Sequence, residues 1–167
     1  MVAAAAISGI MLLASCSIRV KGAKHGITNV METYLVANNT IQCFVKPLYF
    51  RSGRSVLATD FTFRGKTDSA FSAKVNITAK EKMDSCHLVS DNNVISLLPG
   101  LTPPVRINND GYRYFFTASN NTIFDQLNSG KSLKIITFRN GLQQEYTPSG
   151  KSAKKLNKLP KLILSEL

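Results

Sequence analysis

Residues 55–65 read SVLATDFTFRG, and their alternation decides the fold. Leu57, Thr59, Phe61 and Phe63 fall on one face, because successive side chains of an extended chain point to opposite sides. A period of two marks a half-buried strand rather than a helix. The next run, SAFSAKVNIT at 69–78, repeats it through Phe71, Ala73, Val75 and Ile77. Upstream, ITNVMETYLVA (27–37) ends at Asn38-Asn39, and IQCFVKPLYF (41–50) ends at RSGR. Downstream come DSCHLVS (84–90), then SDNNVISLLPGLTPP (90–104), a turn, a short apolar strand and a proline-rich loop. VRINNDGYRYFFTAS (105–119) reads as a hairpin about Asn109-Asp110-Gly111, since Asp-Gly suits a tight turn. Six or seven strands with frequent turns place the chain in the mainly β class, as a small antiparallel β-sandwich.

The pattern changes near the C-terminus. SNNTIFDQLNSGK (119–131) carries Ile123, Phe124 and Leu127 at helical spacing before a Gly stop, so a short helical turn is expected. SLKIITFRNGLQQEYTP (132–148) is a second hairpin about Asn140-Gly141. From residue 149 a basic C-terminal helix is expected, with Ala153, Leu156 and Leu159 on one face and Pro160 ending or bending it. No long repeat or low-complexity linker divides the chain, so residues 27–167 form a single domain.

The N-terminus follows another logic. Residues 2–14 carry no charge. That run is shorter than the roughly 20 apolar residues that cross a bilayer, and has the length of a signal-peptide h-region. A plain secretory signal and a buried N-terminal helix compete with this reading. The run closes on Leu13-Ala14-Ser15-Cys16, which resembles the lipobox of bacterial lipoproteins: a leucine, two small residues and the cysteine that becomes the new N-terminus. The resemblance implies a signal peptide at 1–15, fatty acylation of Cys16, and a tether over residues 16–26. Ser17, rather than Asp, resembles the outer-membrane sorting signal, which implies an outer-membrane lipoprotein facing the periplasm or the surface.

Export bears on the remaining cysteines. Cys43 and Cys86 make an even pair in an oxidising compartment, where a disulfide is expected; two buried thiols are the alternative. His25 and His87 are the only histidines and no Cys-x-x-Cys occurs, so neither a metal site nor another cofactor is expected.

The net charge is +11. Between residues 131 and 161 stand eight basic residues against Glu145 alone, among them Lys151, Lys154, Lys155 and Lys158. Such a stripe suits an anionic membrane face, an acidic partner or nucleic acid, or else a solvated surface. Export makes nucleic acid the least suitable of these. Tyr112, Arg113 and Tyr114, at the aromatic hairpin, are the other surface residues expected to bind.

Several motifs carry no chemistry. Ser-Gly-Lys-Ser occurs at 129–132 and 149–152, but Asp125 and Glu145 occupy the positions where a phosphate loop needs glycine. His87 adjoins Cys86, so on a strand the two face apart, and no carboxylate pair is singled out. No catalytic residue is expected. Residues 117–159 resemble the C-terminal part of periplasmic β-sandwich proteins, the invasion-associated locus B-like proteins and the TagO/VasI-like accessory proteins of type VI secretion. Leu127, Gly130-Lys131, residues 133–135, Tyr146, Gly150 and Ala153 carry the likeness; Lys151 stands where those families have an apolar residue. The resemblance implies a fold and a compartment. The expected function is a non-catalytic envelope lipoprotein serving as a binding or accessory module, for which association with a secretion system is one setting, anchored by its lipid and meeting an unknown protein or anionic partner. A phage- or plasmid-derived exclusion or immunity lipoprotein and a cell-envelope hydrolase are the alternatives.

Overall fold

The longest strand, Ser55–Lys66, is the axis of the molecule. It contains the alternating stretch of residues 55–65, and Leu57, Thr59, Phe61 and Phe63 are all buried. The computed structural model describes residues 18–19, 29–36, 40–66, 72–91, 93–97, 103–107, 111–118, 122–129 and 132–165. In chain order these form β1 (Ile18–Arg19), β2 (Met31–Val36), β3 (Thr40–Val45), β4 (Leu48–Ser52), β5 (Ser55–Lys66), β6 (Ser72–Ala79), β7 (Ser85–Ser90), β8 (Asn93–Leu97), β9 (Val105–Ile107) and β10 (Gly111–Ala118). There follow α1 (Thr122–Asn128), β11 (Leu133–Arg139), β12 (Leu142–Pro148), α2 (Gly150–Leu156) and α3 (Leu159–Leu164).

The protein is mainly antiparallel β. One edge of β5 pairs with β6 along residues 57–64. The other edge is shared: β4 takes residues 55–59 and β3 residues 62–66. The run from 41 to 50 reads as one strand in sequence but is two, because it is interrupted at Lys46-Pro47 and Pro47 has no N–H to donate to a ladder. From β6 the sheet continues to β10 and β9, and from β4 it continues through β12 and β11 to β7 and β8. It curls so that one core holds Phe61, Val75, Ile77, Tyr114 and Phe116 from one part together with Cys86, Leu88, Leu133 and Ile135 from the other. Burying such side chains is the main source of stability, about 2–3 kcal/mol for each large one.

The second hairpin forms as expected: Asn140 and Gly141 both take positive φ, 48° and 76°, as a two-residue turn of the primed type requires. The expected helical turn is α1, with Ile123, Phe124 and Leu127 buried. The basic C-terminal helix is two short helices. Ser149 caps α2, its hydroxyl accepting from the Ser152 N–H, and Pro160 lies in the first turn of α3, where its missing N–H costs nothing. Ser152, not Ala153, joins Leu156 and Leu159 in burial, because its hydroxyl accepts the Tyr49 N–H at 2.8 Å.

The N-terminal expectations fall mostly outside the described residues, including Cys16. Ile18 and Arg19 are an exception. They pair with Leu35 and Tyr34 of β2, so this part of the expected tether is a strand at the sheet edge. Phe71, expected inside, also lies outside the described residues.

Candidate functional site

The aromatic hairpin is not the exposed surface expected from sequence. Gly111 lies in β10 opposite Ile107, and β10 alternates from there. Tyr114 is 3 % exposed; its hydroxyl accepts the Met83 N–H at 2.7 Å and donates to the Met83 carbonyl at 3.4 Å. It is a core residue stacked on Phe116, and burial raises its phenol above the ordinary value. Tyr112 packs on the same core. Arg113 faces outward but is committed: it binds Asp60 at 2.7 Å, and Asp60 also accepts from Asn76 at 2.6 Å. The guanidinium lies 5.8 Å above the Phe115 ring. Tyr114 and Arg113 thus spend their polar groups inside the protein.

The basic strip is exposed. Lys151, Lys154, Lys158 and Lys161 face solvent and Lys155 is half-buried. The ion pairs made among the described residues, Glu32–Lys46, Asp60–Arg113, Glu81–Arg139 and Glu145–Lys134, leave all five lysines without a carboxylate.

Cys43 and Cys86 are both reduced and buried, so the expected bridge does not form in this structure. Cys43 sits opposite Thr33 and Phe63, and Cys86 opposite Leu97 and Thr137. The path of pairing from β3 to β7 runs through β5, β4, β12 and β11, so no ladder sets the two side by side. The Thr33 hydroxyl donates to the Cys43 sulfur at 3.9 Å. Burial pushes the Cys86 thiol up from 9.0 to about 12. Only the thiolate attacks an alkylating agent or a disulfide, so burial keeps a thiol reduced even in an oxidising compartment. Native protein at pH 8 is expected to leave Cys86 unlabelled by iodoacetamide and to gain no mass on reduction; in urea the thiol should label. Stability should also fall as pH rises from about 9 towards 12, because the unfolded chain loses this proton and the folded one keeps it. The slope reaches about 1.4 kcal/mol per pH unit. Urea titrations showing no loss over that window would contradict the burial.

The candidate site is a groove of about 1020 Å³ between the start of β5, the segment joining β6 to β7, and the β11–β12 hairpin. Leu57, Ala79 and Met83 supply a buried apolar floor. Thr137 and Tyr146 add hydroxyls; the Tyr146 phenol donates to Gln144 at 2.9 Å. Burial raises its proton affinity, and hydrogen bonds with Ser55 and Thr137 oppose that. Arg54, Lys80, Lys82 and Arg139 stand around the opening with Glu81. Glu81 is held by Arg139, which leaves Arg54, Lys80 and Lys82 without an ion-pair partner among the described residues. Sequence reading misses this site because its charges lie in three distant segments. The one local signal is Lys80-Glu81-Lys82 at a strand junction.

The second Ser-Gly-Lys-Ser does open a helix, α2, but only Ser149 separates it from β12, leaving no loop to wrap a phosphate. Among the described residues no three His, Cys, Asp or Glu side chains gather as metal ligands, and no helix is long and apolar enough to cross a membrane. No family model, no curated protein and no solved structure matches the chain.

Proposed function

We propose that this protein is a non-catalytic binding module of the bacterial cell envelope, held to the membrane by acylated Cys16. The groove carries the reading: three cations without an ion-pair partner among the described residues, Arg54, Lys80 and Lys82, surround an apolar floor, which suits capture of an anionic partner by charge and burial together. Its carboxylate, Glu81, is engaged by Arg139. The lysine strip of α2 and α3 adds a second basic surface, suited to anionic headgroups.

The test is intact mass of the chain expressed with its leader and recovered from bacterial membranes. A species beginning at Cys16 and carrying acyl chains supports the proposal; an unprocessed chain in the soluble fraction overturns it. On the recovered protein, K151E, K154E, K155E and K158E together should abolish the part of its sedimentation with phosphatidylglycerol vesicles that is lost in high salt. Unchanged sedimentation would remove the strip from the proposal.

A further inference from the structure

The two sides of β12 are unlike. β11 pairs with residues 142–146, whereas β4 meets β12 only at Thr147 and Pro148. Continued two and three steps further, that register would set Glu145 against Gly53 and Gln144 against Arg54, the loop where β4 turns into β5. The neighbouring strand has already turned away, and the β11–β12 hairpin overhangs it. Backbone groups of an antiparallel strand point alternately to one neighbour and the other. The Ser149 N–H donates to the Tyr49 carbonyl across the β4 side, and Thr147 pairs with Arg51 on that side. By the same parity, Gln143 and Glu145 direct their N–H and C=O groups to the side where no strand follows among the described residues.

This open edge forms a wall of the groove, which Leu142, Gln143 and Gln144 line. Leu142 is 76 % exposed and Val56, which also lines the groove, 43 %. An unpaired edge is a template for another strand, and native edges are ordinarily shortened, covered or charged. Here the edge is long enough for about five residues, roughly 17 Å, and is bordered by apolar side chains and by Arg54, Lys80 and Lys82.

We propose that the groove captures an extended acidic peptide segment of a partner protein, which adds as a strand to β12 while its carboxylates meet Arg54, Lys80 and Lys82. This deepens the binding-module reading and rests on it. Strand addition draws affinity from main-chain hydrogen bonds and specificity from alternate side chains. A lipid headgroup would use the cations but leave the strand edge and the Val56 and Leu142 side chains unused.

The probe is a dye-labelled, end-blocked octapeptide of alternating Glu and Val, titrated by fluorescence anisotropy against the full chain in detergent at low salt. Saturable binding is expected, weakened at least tenfold by R54E, K80E and K82E together. Two further peptides, N-methylated at one or the other alternate set of amides, keep the charge and lose donors along one edge. One set should abolish binding and the other leave it intact, since only one edge of the peptide can face β12. Gln143→Pro, which removes an outward N–H, should weaken binding tenfold with Tm unchanged. If both methylated peptides bind as well as the parent, strand addition is wrong. If the charge reversals do not matter, the acidic specificity is wrong. Displacement of the peptide by phosphatidylglycerol vesicles would assign the groove to lipid instead. Failure of every peptide, with acylation at Cys16 confirmed, overturns this inference and leaves the envelope reading standing.

Discussion

Gly111→Ala is expected to destabilise the fold by about 3 kcal/mol or more, read as a lower urea midpoint with an unchanged slope. Gly111 opens β10 with φ +119°, a conformation that strains any residue bearing a Cβ by about 1–3 kcal/mol. The added methyl would also collide with the Ala79 carbonyl oxygen and lie 2.7 Å from the Lys80 Cα. These are backbone atoms, so no side-chain rotation relieves the contact; β6 or β10 must move. The next pair in the ladder is Tyr112 with Ala79, and Met83, which holds Tyr114, follows shortly after. The same substitution at Gly53, where a Cβ meets nothing within 4 Å, carries the left-handed cost alone. Equal losses at the two positions would refute the steric part of the argument.

Phe63→Ala should cost about 3–5 kcal/mol, the range for truncating a buried aromatic. Phe63 is 1 % exposed. It stacks on Phe61 at 6.2 Å and meets Phe124 of α1 edge-on at 6.5 Å. Its loss therefore leaves a cavity and removes an aromatic contact that joins α1 to the sheet. Amide exchange should rise in α1 first, before the β5–β6 ladder is affected. Phe115→Ala, on the outer face of β10 under Arg113, is the comparison and should cost only about 1 kcal/mol. Uniform exchange throughout the Phe63 variant would mean that α1 is held by other contacts.

Where local chemistry determines structure, the sequence is a sufficient guide. Alternation in β5 and β6 identifies their buried faces, Asn140-Gly141 its turn, and the spacing of Ile123, Phe124 and Leu127 the inner side of α1. Four aromatics crowded into residues 112–116 hide the same alternation, because every second position looks apolar whichever way it faces. Tyr114 is thereby mistaken for surface, and nothing in the chain near it announces a hydrogen bond to Met83, 31 residues away. The lysine strip is visible because its charges are neighbours in sequence. The groove is not, since Arg54, Lys80 and Lys82 meet only after β5 has been set between β4 and β6. Its open strand edge depends on a difference in length between two hairpins, which composition does not record.

The short strand β1 has a mechanical consequence. Ile18 begins two residues after Cys16, a distance of at most about 7 Å along the chain, and β1 is stitched through β2 and β3 to the far end of β5, near Arg64 and Gly65. The groove begins at the other end, by Ser55. With an acyl chain on Cys16 the domain would not swing on a leash. Anchor and groove would sit near opposite ends of one strand, roughly 30 Å apart along it.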